Sequence, residues 1–183
     1  MNTESTSEQN KSYKIPSCAE IGLQAGRKGN FKRARQMLQT AIEQLEESED
    51  EDKESRLTEL VTYIADTYIN EGSYSSAKDW YTRAFHRCEI FGGANTLQAA
   101  CLITRFAEIG VLESDMKEFQ KNFENLQRVY LLTEEGDFSA LLGVLIDLSW
   151  VLCVQGQHRE VQLVNRLISQ IKQLQEEQRL LSA

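Results

Sequence analysis

One pattern limits this chain more than any other. The segments GNFKRARQMLQTAI from Gly29, GSYSSAKDWYTRAF from Gly72, SDMKEFQKNFENLQ from Ser114 and GQHREVQLVNRLIS from Gly156 align without gaps, their starts 43, 42 and 42 residues apart. A sequence that repeats at such an interval folds as a stack of like units, because one unit alone cannot bury its apolar face and each copy covers its neighbour. Each copy opens on a turn residue, Gly29, Gly72, Ser114 or Gly156, followed by Asn30, Ser73, Asp115 or Gln157. Asn, Ser and Asp in that second column suit a helix N-cap, where their side chains accept from the free amides of the first turn, and Asp115 with Glu118 has capping-box spacing.

Behind the turn runs a column of larger residues, Phe31, Tyr74, Met116 and His158, then Ala34, Ala77, Phe119 and Val161, then Leu38, Tyr81, Phe123 and Asn165, then Ala41, Ala84, Leu126 and Ile168. Offsets of three and four put these on one helical face, which must pack against something. Upstream of each turn a large-then-small pair recurs, Ile21-Gly22, Ile64-Ala65, Phe106-Ala107 and Leu148-Ser149, whose small member lets two helices approach closely. The clearest upstream helix is LTELVTYIADTYIN from Leu57. The pattern predicts eight helices near 17–28, 31–48, 54–71, 74–91, 95–112, 115–134, 137–155 and 157–181. The single proline, Pro16, leaves the rest of the chain free of helix-breaking rings. The expected fold is all-α, a solenoid of four helix-turn-helix hairpins. Residues 1–14 form a disordered polar tail, and 15–183 a single domain with repeats at about 15–53, 54–94, 95–136 and 137–181.

The stretches Ile21-Gly22…Gly29-Asn30-Phe31-x-x-Ala34-x-x-x-Leu38-x-x-Ala41 and Ile64-Ala65-x-x-Tyr68…Gly72-Ser73-Tyr74-x-x-Ala77-x-x-x-Tyr81-x-x-Ala84 resemble tetratricopeptide repeats. The third and fourth copies keep the register but place Phe119, Leu126, Val161 and Ile168 where that family has small residues. The usual period is about 34 residues. The longer spacing here implies helices extended by about a turn, or longer connections, as in expanded members such as the kinesin light chains. The family's closing proline is absent. The resemblance implies a right-handed stack that binds a protein segment in a concave groove lined by the first helix of each pair. Its register nominates Leu23 and Arg27 from the first hairpin, Thr62, Asp66 and Asn70 from the second, Thr104, Arg105 and Glu108 from the third, and Ile146 and Trp150 from the fourth. Trp150 is the strongest single candidate, because aromatic anchors dominate many interfaces. Trp80, beside Tyr81, is expected to be structural. Where some members grip a ligand's C-terminal carboxylate with lysine and asparagine, this chain has Ala19 and Leu23, so its ligand is expected to make more apolar or mixed contacts.

Charge and motifs limit the alternatives. A formal net charge of −8 repels phosphate backbones, which disfavours nucleic acid. No run nears the roughly 20 apolar residues that span a bilayer, and MNTESTSEQNKSYK lacks a signal peptide's apolar stretch, so the chain reads as cytoplasmic. Cys18, Cys88, Cys101 and Cys153 form no CxxC or CxxH pair and are expected to be buried free thiols. His86 and His158 lack motif partners; packing accounts for His158, which sits in the repeat's aromatic column. No metal site, cofactor or enzymatic chemistry is expected. A basic cluster, Arg27, Lys28, Lys32, Arg33 and Arg35, either neutralises the nearby EESEDEDKE run or meets an acidic partner. In the last helix Val164, Leu167, Ile168, Ile171 and Leu174 either cap the stack or pair with a second copy as a homodimer. Two functions remain open: an adaptor, scaffold or assembly factor that binds a protein or peptide partner, and a regulatory sensor that binds a short peptide or small ligand and switches a partner.

Overall fold

The computed structural model describes residues 17–49, 51–93, 96–132 and 137–181, so the expectation for the 1–14 tail lies outside the described residues. Those described form eight helices and no strand: α1 (Cys18–Arg27), α2 (Phe31–Glu46), α3 (Lys53–Asn70), α4 (Tyr74–Phe91), α5 (Leu97–Leu112), α6 (Met116–Leu132), α7 (Ser139–Val154) and α8 (His158–Leu181). They pair as four hairpins, α1 with α2, α3 with α4, α5 with α6 and α7 with α8. The fold is an all-α helical repeat.

The repeat is written into the turn that joins each pair. Gly29, Gly72, Ser114 and Gly156 have φ of 74°, 74°, 61° and 73°, the left-handed region that glycine enters without penalty. The residue after each donates its amide five positions back, from Asn30 to Ala25 (2.9 Å), Ser73 to Tyr68 (2.9 Å), Asp115 to Gly110 (2.7 Å) and Gln157 to Leu152 (2.9 Å). This is the bonding of a Schellman C-cap, which stops the first helix and aims the chain into the second. Two of the three expected side-chain caps form: Asn30 Oδ1 accepts from the Arg33 amide (3.2 Å) and Asp115 Oδ1 from that of Glu118 (3.0 Å). Ser73 makes no side-chain cap bond. The reciprocal capping box is found at Ser17 and Glu20 instead.

Small residues set how closely the helices approach. Ala34, Ala65, Ala77, Ala84 and Ala107 are fully buried. A methyl placed on Gly22 would stand 2.9 Å from Leu38 Cγ, and one on Gly110 would stand 2.7 Å from the backbone nitrogen of Phe119. The stripe packs as expected except where its fourth copy turns polar: His158 and Asn165 are exposed, so packing does not account for His158. The Asn165 amide oxygen accepts from the Ser149 hydroxyl (2.8 Å), which pins α8 to α7 without apolar contact at that level.

Two apolar cores meet at α5. Ala99, Leu102 and Ile109 join the core shared with α2, α3 and α4, while Ala100, Ile103, Ala107 and Val111 join the one shared with α6, α7 and α8. Ion pairs tie hairpins together at equivalent positions, Arg35 to Glu71 (2.8 Å) and Lys78 to Glu113. Arg35 is therefore engaged by the second hairpin, also donating to Thr67 (3.2 Å), and does not neutralise the acidic run. The run's own Glu54 pairs with Arg87 (2.5 Å). In α8, Val164, Leu167, Ile168 and Ile171 are buried in the second core, so that stripe is engaged within the chain. All four cysteines are free, but only Cys88 is buried; Cys18 and Cys101 are half-buried and Cys153 is exposed. Among the described residues, no helix is long and apolar enough to cross a membrane.

Candidate functional site

The first helices of the second, third and fourth hairpins, α3, α5 and α7, line an open cavity of about 570 Å³. Asp66, Ile69 and Asn70 line it from α3, Arg105 and Glu108 from α5, and Ile146, Asp147, Trp150 and Val151 from α7. The repeat explains why these meet. Asp66, Glu108 and Trp150 stand six residues before their respective turns, and Arg105 and Asp147 stand nine before theirs. Positions three apart share a helical face, so stacking places the two columns side by side.

At the centre lies the Arg105 guanidinium. Its Nη1 donates to Glu108 Oε2 (2.7 Å) and lies 3.4 Å from Asp147 Oδ2, while Nε is 3.7 Å from Asp66 Oδ1. Asp66 also accepts from the Tyr81 hydroxyl (2.5 Å), whose ring is fully buried in the first core. Tyr81 thus fixes the floor of the cavity by its polar tip while its body packs in the stripe. Burial raises the Asp66 carboxyl above its ordinary value, Asp147 adds to this, and Arg105 and the Tyr81 hydrogen bond oppose it. Burial likewise raises Glu108 against the pull of Arg105. Burial and the neighbouring Asp66 push the Tyr81 hydroxyl well above its usual range. For Arg105, burial works against the charge, but Asp66, Glu108 and Tyr81 outweigh it and hold the guanidinium above its ordinary value. One cation faces three carboxylates.

Of the ten nominated residues, Asp66, Asn70, Arg105, Glu108, Ile146 and Trp150 come together here. Trp150 is 68% exposed and Ile146 51%, so neither is core. Thr104 is a correction: it is fully buried within α5 and its hydroxyl donates to the Ala100 carbonyl (2.8 Å), which leaves nothing to present to a ligand. Thr62 is half-buried and donates to the Thr58 carbonyl (2.8 Å). Leu23 lines a separate cavity of about 450 Å³ between α1, α2 and α3. Arg27 is exposed in the last turn of α1, near enough to Tyr63 to lower a hydroxyl that burial and Glu59 raise. Asp147 was missed although it shares the Arg105 column, and Ile69 and Val151 were missed because their periodicity reads as core. Trp80 is half-buried against the first core with the Arg83 guanidinium 4.7 Å above its ring, which fits a structural place. His86 is exposed beside Glu89 (3.9 Å), and the Cys88 thiol lies 3.2 Å from the Thr96 hydroxyl.

No family's sequence profile matches the chain, and no curated protein does. Solved structures do match. One, the crystal structure of BtubC (BKLC) from P. vanneervenii, aligns with a TM-score of 0.64 at 15% sequence identity, covering 87% of this chain and 63% of that one. At that identity the likeness is one of fold alone, and this chain spans under two thirds of the neighbour's length: an all-α helical repeat is what the two share.

Proposed function

We propose that the chain is a non-enzymatic protein-interaction module of tetratricopeptide type, a right-handed stack acting in the cytoplasm as an adaptor, scaffold or assembly factor. It binds a partner segment along the face built by α3, α5 and α7. The observation that carries this reading is the convergence of two repeat columns from three successive hairpins on one cavity, flanked by the exposed apolar side chains of Trp150 and Ile146. Large exposed apolar groups beside a buried polar network match the composition of interface anchors. The cavity opens to solvent across three helices, which favours an extended segment over the enclosed small ligand of a sensor.

Affinity capture from native lysate with mass spectrometry tests the proposal. A Trp150→Ala/Ile146→Ser variant is compared with wild type and with Lys117→Glu, an exposed change on α6. A partner held by wild type and by Lys117→Glu but lost from the groove variant, with melts alike, is the expected result. A partner retained by all three moves the binding surface elsewhere.

A further inference from the structure

Resting on that reading of the groove, we propose that the partner segment presents an arginine side chain, its guanidinium stacked on the Trp150 indole and its N–H edge turned to Asp147, with apolar residues on either side. Three observations converge on this occupant. The first is charge: the cavity holds one guanidinium against three carboxylates, a balance that attracts a second cation and repels an acidic segment.

The second is the state of Asp147. It is the single charged residue of α7, its side chain is 57% exposed, and it reaches Arg105 only at 3.4 Å, while Glu108 takes the same nitrogen at 2.7 Å. Most of its carboxylate still faces solvent, where a further donor can approach.

The third is the treatment of aromatic rings across the molecule. Arg35 lies 4.3 Å over Tyr68, Arg83 4.7 Å over Trp80 and Arg87 5.9 Å over Phe91. Among the described residues no guanidinium covers Trp150, the most exposed of the two tryptophans. Asp147 and Trp150 stand three apart on α7, so a ring face and a carboxylate edge share one side of the helix. A planar guanidinium satisfies both at once, stacking by its face and donating by its edge, which a lysine ammonium cannot do. Ile69, Ile146 and Val151 around them suit apolar flanking residues.

The test is selection of phage-displayed random dodecapeptides on the full chain, with counter-selection on Trp150→Ala/Ile146→Ser. Enriched sequences are made as fluorescein-labelled peptides and titrated by anisotropy. Expected are sequences with an arginine between apolar residues, whose binding weakens roughly tenfold when that arginine becomes citrulline, and by a similar factor with Asp147→Asn. The chain's two tryptophans give two indole N–H signals in a nitrogen-correlation spectrum, of which Trp150 alone should shift. Groove-dependent peptides without arginine, or equal binding of the citrulline peptide, overturn the arginine inference and leave the groove reading standing. Peptides that bind the counter-selection variant as tightly as wild type overturn the groove reading itself, and a selection with no enrichment overturns both.

Discussion

In the first two hairpins the second helix meets its neighbour through alanine, Ala34 and Ala41 in α2, Ala77 and Ala84 in α4; in the third the same columns hold Phe119 and Leu126, and in the fourth Val161 and Ile168. The turns are conformationally alike in all four copies, so the change is one of side-chain volume on a constant backbone motif. The stack also continues differently along its length. Early in the chain each second helix approaches the next first helix closely, α2 to α3 and α4 to α5, whereas α7 makes its close backbone approach to α5 rather than α6. Interaxial distance follows the size of the side chains at the contact, and Phe119, Phe123 and Leu126 fill the second core from α6. The difference teaches that this repeat conserves its turn geometry and lets volume vary. The early second helices, α2 and α4, have no room to gain atoms at these columns, and α6 has none to lose.

That contrast can be broken most forcefully at Phe119. Phe119→Ala should lower unfolding free energy by about 4 kcal/mol, since the transfer loss and the cavity add in a buried ring. Urea denaturation with an unchanged m-value measures it, and a loss under about 1 kcal/mol would mean that the second core collapses around the gap. Gly110→Ala comes next, at about 3 kcal/mol, because the new methyl meets the Phe119 backbone nitrogen at 2.7 Å and the Asp115 carbonyl at 3.1 Å, neither of which can swing away. Ala77→Leu in the fully packed second hairpin should cost about 2 kcal/mol, and a melt left unchanged by it would remove the alignment of the repeats. Gly22→Ala should cost about 1.5 kcal/mol, because the new methyl meets Cγ of the buried Leu38 at 2.9 Å and the Ala34 carbonyl at 3.2 Å, while alanine's better helix propensity offsets part of the strain.

The smallest effect concerns the groove. Asp66 and Glu108 have folded-state carboxyls raised above their ordinary values, so over the interval between the two values the folded chain binds more protons than the unfolded. Their contribution to stability is therefore greatest on the acid side and declines as pH rises through that interval. Glu108→Gln should remove part of this slope from a plot of melting temperature against pH. Parallel profiles for the two proteins would show that Glu108 does not titrate in that interval.

Much of the site was legible from register alone. Counting back six residues from each turn finds Asp66, Glu108 and Trp150, and the same count in the first hairpin gives Leu23, which lies in another cavity because that hairpin contributes no wall to this one. Thr104 shows where register stops being informative. Its column also holds half-buried Thr62 and exposed Ile146, and the central helix α5, packed on both sides, buries what its neighbours leave open. Asp147 had a readable signal in the Arg105 column, yet nothing in a one-dimensional pattern says that a carboxylate on α7 comes within 3.4 Å of a guanidinium on α5.

By itself the sequence determined the helices, the four turns and the pairing of helices into hairpins, because each rests on short-range causes: left-handed turn residues, N-caps, and small residues at helical spacing. Only the tertiary structure decided which polar residues form the Arg105 network, which tryptophan is covered and which is open, and where a cavity forms between hairpins. Those depend on distances between helices, and the volume of side chains far away in sequence sets such distances.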